Sequence, residues 1–166
     1  MTNRDDKWLN AIAGQTIEEF LESLLGMRQE IRCLRERKDT IAQQITSVSA
    51  AKLTGEVTGG GPSDLSQLLE RLEEAKTDVV RRMTELLCKE ALASLLIRKH
   101  PDEMAKVILR ARYIVGDSWK HITKIICGYK DVSYPQKIKR QAITYLSQHT
   151  SMQEIIAEAR IKRIIK

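Results

Sequence analysis

The sequence is poor in aromatic residues. Phe, Trp and Tyr make up 4% of its 166 residues, with a single Phe, and there are only three prolines. All-β folds need aromatic and β-branched side chains between closely spaced turns, so this scarcity disfavours them. Leu, Ile, Glu, Lys and Arg are abundant instead, and these residues favour helices. The sequence therefore predicts an all-α protein with one domain or two small ones.

Residue types that form catalytic and metal sites are few and scattered. The three cysteines stand far apart, which is typical of a reducing compartment, and the three histidines lack the spacing of metal ligands. Motifs of nucleophilic, dinucleotide-binding and phosphate-binding enzymes are missing. The glycine-rich stretch at 59–62 lacks the Lys-Ser/Thr pair of a phosphate-binding loop. These absences predict a protein that is not an enzyme and uses no metal or cofactor.

Signals for export or membrane insertion are missing as well. The first residues lack the apolar run of a signal peptide. Nowhere does an apolar stretch approach the roughly 20 residues that a membrane-spanning helix needs. We therefore expect a cytoplasmic protein without a membrane partner.

Charge is distributed unevenly along the chain. The whole sequence carries 28 Lys and Arg against 22 Asp and Glu, a net charge of +6. Residues 98–166 alone hold 15 basic and 6 acidic side chains, a net charge of +9. A basic block of this size points to a polyanion, a membrane surface or an acidic protein as partner. The alternative is a solvated face on which charge only maintains solubility.

A long heptad repeat begins at Ile17. Its apolar residues follow at alternating spacings of three and four for more than four heptads, broken only by Lys38 at an a position. Thr16 and Glu19 have the spacing of a capping box at the start of this helix. A single helix cannot bury so long a seam, so its residues are predicted to mediate dimerisation. The predicted dimerisation residues are Ile17, Phe20, Leu24, Met27, Ile31, Leu34, Ile41 and Ile45.

A second amphipathic helix is expected to fold back on the first. Residues 49–64 contain four glycines and a proline and predict a flexible loop between the two. The apolar face of the second helix includes Leu87. An antiparallel coiled-coil hairpin at 17–97 follows from this pattern, after an N-terminal segment at 1–16. Leftover apolar surface favours a homodimer or higher oligomer, and a self-contained hairpin is the alternative.

Residues 98–166 have the pattern of a helix-turn-helix domain. A helix that starts at Pro101 is expected to end near Gly116, and a short helix after it to end at Gly128. Ser133 can cap the next helix. A further helix with a capping box and a basic end completes the chain.

The helix after Ser133 has a polar face without an acidic residue. One side of it carries apolar residues from Ile138 onward, and the opposite side carries hydrogen-bond donors. Such a face suits the major groove, because Arg and Lys donate to guanine, Gln pairs with adenine, and Lys or Ser binds phosphate. The predicted DNA contacts are Lys130, Ser133, Gln136, Lys137, Lys139, Arg140, Gln141 and Thr144. An ordinary polar surface of an amphipathic helix is the alternative.

The segment from Ile108 to Ile122 resembles a signature of phage-encoded regulators similar to sigma factor region four. Its most specific part consists of Arg112, Tyr113, Trp119 and Ile122. The ArpU-type and RinA-type activators of late phage transcription belong to this group. The resemblance implies that Trp119 and Ile122 are core residues of the scaffold helix of a helix-turn-helix.

The function that the resemblance implies is sequence-specific regulation of phage or prophage transcription. The protein would bind double-stranded DNA as a dimer in the host cell cytoplasm, through the helix-turn-helix domain at 98–166. Contact with RNA polymerase is a further property of this group. The alternative is a DNA-packaging subunit, or an adaptor that binds RNA polymerase or another protein, assembled through the coiled coil.

Overall fold

The part of the chain that the structure describes folds into helices. A computed structural model describes residues 5–54, 62–128, 131–162 and 164–165, and within these ranges the chain contains no strand. The helices are α1 Asp5–Ala13, α2 Ile17–Thr54, α3 Pro62–Arg98, α4 Glu103–Leu109 with a π-helical extension Arg110–Val115, α5 Trp119–Ile122 with a π-helical extension Thr123–Cys127, α6 Ser133–His149 and α7 Met152–Ile161. The predicted all-α fold is confirmed. None of these helices is long and apolar enough to cross a membrane.

The chain divides into two compact units that differ from the predicted domains. One, which we call the composite unit, combines residues 1–26 with residues 86–166, and the other, the hairpin unit, consists of residues 27–85. The predicted boundaries, after residues 16 and 97, separate segments that the structure joins. The first turns of α2 and the last turns of α3 belong with the C-terminal helices because all of them share one hydrophobic core.

Six helices contribute to the core of the composite unit. Its fully or almost fully buried members include Ile12 of α1, Phe20 of α2, Leu96 of α3, Leu109 of α4, Leu146 of α6 and Ile155 of α7. Burying a side chain of this size stabilises a fold by about 1.5–3 kcal/mol relative to exposure. The C-terminal helices therefore depend on α1, α2 and α3 for much of the apolar surface they bury.

The long helices α2 and α3 pack against each other as an antiparallel pair. The start of α2 and the end of α3 lie in the same core, which fixes the antiparallel direction. In the hairpin unit, the Arg82 guanidinium of α3 binds the Glu30 carboxylate of α2 at 2.9 Å. Nearby, Arg35 of α2 donates to the Met83 sulfur of α3 at 3.1 Å. The predicted helical hairpin is thus present.

The connection in this hairpin is shorter than predicted. Helix α2 continues to Thr54 and α3 begins at Pro62, so both ends of the predicted loop at 49–64 are helical. Ala, Lys and Leu after residue 49 are good helix formers, and proline is favoured in the first turn of a helix. Residues 55–61 lie outside the described part of the chain.

The predicted dimerisation seam is largely covered within one chain. Ile17, Phe20, Leu24, Met27, Ile31 and Ile41 are at most 7% exposed, and Leu34 and Ile45 are partly exposed. On α3, Leu87 is 62% exposed, so its predicted place on the packing face is wrong. Its neighbours at 92, 95 and 96 are buried instead, because the apolar positions of α3 do not keep one strict repeat. Dimerisation through these residues stays a prediction.

Local signals at helix ends are confirmed. The Thr16 backbone N–H donates to the Glu19 carboxylate at 2.9 Å and the Glu19 N–H donates to the Thr16 hydroxyl at 3.2 Å, which completes the predicted capping box. Gly116 and Gly128 end their helices with φ angles of 88° and 63°. Helix α4 begins at Glu103 with Asp102 as its cap, so Pro101 precedes the helix rather than opening it.

Gly128→Ala is expected to destabilise the protein by about 1–2 kcal/mol, because an L side chain is disfavoured at positive φ. Apart from its neighbours in the chain, no described residue has a heavy atom within 4 Å of a Cβ at this position, so the penalty isolates the backbone conformation. Gly26→Ala is the matched control, since Gly26 is helical and also has open space around it. That change should stabilise by about 0.5–1 kcal/mol. Urea unfolding with an unchanged m-value measures both, and equal stability of the two variants would contradict the left-handed turn.

Candidate nucleic-acid interface

Helices α4, α5 and α6 pack around a small second core. Ile108 and Ala111 of α4 and its extension meet Ile122 of α5 there, and all three side chains are buried. Trp119 and Ile138 partly cover this core. Helix α6 contacts both α4 and α5, and α5 contacts the π-helical extension of α4. A short helix, a turn and a longer helix therefore pack on a third helix, which is the arrangement that the sequence pattern predicts.

The residues that carry the family resemblance connect α4 with α5. The Arg112 guanidinium lies 5.1 Å from the centre of the Trp119 ring and donates to the Asp117 carbonyl at 2.9 Å. Thr123 donates its hydroxyl to the Trp119 carbonyl at 2.8 Å. Ile122 is completely buried and Trp119 is half-buried, so both contribute to packing. The motif thus has a structural role in fixing the corner between the two helices.

The start of α6 is capped by Asp131 rather than by Ser133. The Asp131 carboxylate accepts a hydrogen bond from the Ser133 backbone N–H at 2.8 Å and another from the Ser133 hydroxyl. These two bonds hold the pKa of Asp131 below its usual range. A carboxylate is the stronger acceptor and is favoured at the positive end of a helix. The predicted cap is corrected accordingly, and Lys130, a predicted DNA contact, lies outside the described residues.

Most predicted DNA-contacting side chains of α6 are accessible. Ser133, Lys137, Arg140, Gln141 and Thr144 are exposed and Gln136 is half-buried, whereas the packing side buries Pro135, Ala142, Ile143 and Leu146. The Thr144 hydroxyl donates to the Arg140 carbonyl of its own helix at 3.0 Å. The exposed face contains no acidic residue. It therefore offers cationic and amide groups to a partner without local neutralisation.

Lys139 is placed differently from the other predicted contacts. Its ammonium nitrogen lies 3.0 Å from a Glu18 oxygen and 3.1 Å from a Glu22 oxygen, and its side chain is 15% exposed. The hydroxyl of the buried Tyr113 donates to the same Glu22 oxygen at 2.7 Å. Sequence reasoning missed this cluster because its members come from α2, the extension of α4, and α6. No local spacing relates them.

The cluster shifts the pKa values of its members in opposite directions. Burial would raise the pKa of Glu22, but hydrogen bonds from Tyr113 and Lys139 outweigh it and keep that pKa below its usual range. Burial likewise would lower the pKa of Lys139, and its bonds to Glu18 and Glu22 raise it instead. Burial raises the pKa of Tyr113, and donation to Glu22 raises it further. The ammonium, carboxylate and neutral phenol forms therefore stabilise one another.

Five exposed cations of the three-helix segment have no carboxylate partner among the described residues. They are Arg110, Lys120, Lys124, Lys137 and Arg140. Other cations of the composite unit are paired, such as Lys106 with Glu103 at 2.6 Å and Lys99 with Glu158 at the same distance. Unpaired charges of one sign repel each other and create a positive potential that attracts anions. The charge pattern therefore suits an anionic macromolecule.

Comparison with known proteins gives no match, whether to a family model, to a curated protein or to a solved structure. The resemblance to sigma-like phage regulators thus stays a prediction. In the described part of the chain, no three His, Cys, Asp or Glu side chains converge as metal ligands would.

Proposed function

We propose that this protein binds double-stranded DNA with α6 in the major groove and regulates transcription. The observation that carries the proposal is the exposed, acid-free face of α6, where Lys137 and Arg140 have no carboxylate partner among the described residues. Side chains of this kind donate to guanine in the major groove. The resemblance to phage regulators supports the transcriptional part, including contact with RNA polymerase.

The two helices of the motif have different tasks in this proposal. Arg140 and Gln141 of α6 read base edges, because guanidinium and amide groups match the acceptor patterns of guanine and adenine. Lys120 and Lys124, on α5 and its extension, contact phosphates, which position a protein on DNA without reading its sequence. These two lysines are exposed and separated by about one helical turn, so one backbone segment can contact both.

Phosphate is not expected at the start of α6. Helix N-termini usually attract anions, but the carboxylate of Asp131 already accepts the bonds of Ser133 there. A phosphate would face the negative charge of Asp131. Ser133, one of the predicted DNA contacts, is therefore a weaker candidate than Lys137 or Arg140.

Replacement of both unpaired cations of α6 tests the proposal. A duplex enriched from a random-sequence pool by the wild-type protein serves as probe, in fluorescence anisotropy at several salt concentrations. Lys137→Ala with Arg140→Ala should reduce affinity by about 2–6 kcal/mol if both contact guanines, and at least tenfold if they contact only phosphates. For phosphate contacts the salt slope should fall by about 0.9 for each one lost.

Arg37→Ala with Arg71→Ala is the matched control for this experiment. Both arginines are exposed in the hairpin unit and have no carboxylate partner among the described residues, so the change in net charge is the same. We expect this pair to bind DNA as the wild type does. Equal losses of DNA affinity in the two double variants would show that only net charge matters. If the wild-type protein enriched no duplex from the random pool, sequence-specific binding would be contradicted.

The oligomeric state separates this proposal from the DNA-packaging alternative. Light scattering on the same sample is expected to give the mass of a dimer. Dimers match the two-fold symmetry of many operators, whereas packaging subunits assemble into closed rings. A ring of many subunits would favour the packaging function.

A further inference from the structure

A cluster of four side chains connects α6 with the first turns of α2. We call it the α6 clamp, and its members are Glu18, Glu22, Tyr113 and Lys139. The Glu22 carboxylate accepts from both the Tyr113 hydroxyl and the Lys139 ammonium, at 2.7 and 3.1 Å, and Glu18 accepts from Lys139 at 3.0 Å. Lys139 also lies 5.9 Å from the centre of the Tyr113 ring. Each member therefore contacts at least one other, across three helices.

Lys139 and Lys137 project from opposite sides of α6, so they do not belong to one binding surface. An α-helix turns by about 100° per residue, so side chains two positions apart project about 160° apart around the axis. Lys137 is exposed, whereas Lys139 lies beside the buried Ala142 and Ile143 on the packing side. A groove that contacts Lys137 cannot reach Lys139 at the same time.

Moving Lys139 to a phosphate would also break a satisfied network. Its ammonium has three donors, and two of them already bind carboxylates. Withdrawing it would give up both carboxylate contacts of an ammonium whose side chain is only 15% exposed and leave Glu22, which is 47% exposed, with the Tyr113 hydroxyl as its remaining partner in the clamp. A phosphate contact would therefore have to replace two existing charge-assisted hydrogen bonds of Lys139, so the exchange brings little gain.

We infer that Lys139 is a positioning residue that fixes the rotation of α6 through Glu18, Glu22 and Tyr113, and that it does not contact DNA. This inference rests on the proposed function, because the rotation matters for the bases that Arg140 and Gln141 reach. Base contacts require precise placement, whereas phosphate contacts tolerate variation. The clamp thus makes α2 a determinant of sequence preference.

Substitutions at Lys139 and at Lys137 distinguish a residue that positions α6 from a residue that contacts DNA. With the enriched duplex as probe, Lys139→Gln should reduce affinity about tenfold and leave the salt slope unchanged. The affinity of Lys139→Gln for a mixed-sequence duplex should equal that of the wild type. Lys139→Arg should restore the preference for the enriched duplex over the mixed-sequence one. Lys137→Gln should weaken binding to the enriched duplex directly, and where Lys137 contacts a phosphate it should also weaken binding to the mixed-sequence duplex and reduce the slope by about 0.9. A reduced slope for Lys139→Gln would overturn the inference.

Hydrogen exchange tests the clamp without DNA. Lys139→Gln and Glu22→Gln should each accelerate amide exchange in α6 by about fivefold, and the double variant should add little, because both remove the same interaction. Additive effects, or unchanged exchange in α6, would overturn the clamp. If the wild-type protein bound no duplex while these exchange results held, the DNA proposal would fail and the clamp would stand as a structural device.

Discussion

A fragment of residues 98–166 is expected to lose cooperative folding, although the sequence pattern predicts it as a domain. Its helices bury their apolar faces against Phe20, Leu24 and Leu96, among other residues outside the fragment. Without them, the buried side chains of α4, α6 and α7 would face water, at a cost of about 1.5–3 kcal/mol for each large one. Because a domain is stable by only about 5–15 kcal/mol, several such losses exceed its stability. Circular dichroism should show no sigmoidal thermal transition.

The matched control removes a long segment from elsewhere in the chain. Deleting residues 27–85 and joining Gly26 to Leu86 with a short Gly/Ser linker keeps every helix of the composite unit. Leu25 and Leu86 pack against the same core, so the two ends lie near each other. This variant should retain a cooperative transition. A cooperative transition in the 98–166 fragment, or its loss in the deletion variant, would contradict the composite unit.

Local features of this fold follow directly from the sequence. A capping box depends on residues three positions apart, as at Thr16 and Glu19, and a left-handed helix end depends on one glycine, as at Gly116 and Gly128. The last helix likewise begins with the predicted capping box, between Ser151 and Glu154. Such signals act within one turn, so their chemistry is complete in a short stretch of sequence.

Features that depend on distant segments do not follow from the sequence. Lys139 looks like any basic residue of a polar helix until the fold places Glu18 and Glu22 beside it, more than 110 residues away along the chain. The boundary of the composite unit has the same origin, because the heptad repeat continues past residue 26 without a change in pattern. A periodic helix shows which side is apolar, and its partners are fixed only by tertiary packing.

The candidate interface shows the same division. Its exposed members, such as Lys137 and Arg140, can be selected from the sequence because charge and helical period suffice to place them outside. The contribution of α5 is harder to recognise from the sequence. Lys120 and Lys124 become candidate phosphate contacts only because the described fold gives them no carboxylate partner. Pairing is a property of three-dimensional neighbours. Net charge along a segment does not predict it.

Leu96→Ala is expected to lower the free energy of unfolding by about 2–5 kcal/mol, because it leaves a cavity in the core of the composite unit. Leu96 is completely buried there. Leu87→Ala is the matched control: it makes the same chemical change on the same helix at a side chain that is 62% exposed, and it should cost less than about 0.5 kcal/mol.

The pair also decides which face of α3 packs. If the apolar face expected for the second helix determined packing, Leu87→Ala would be as costly as Leu96→Ala, because the sequence places Leu87 on that face. The structure exposes it, so the two unfolding midpoints in urea should differ by about 0.7 M or more for an m-value of about 1–2 kcal/mol/M. A loss of stability in Leu87→Ala that grew with protein concentration would show that an oligomer covers this side chain, because association contributes to apparent stability. With no such dependence, the face of α3 that carries Leu87 is free of a self-association contact.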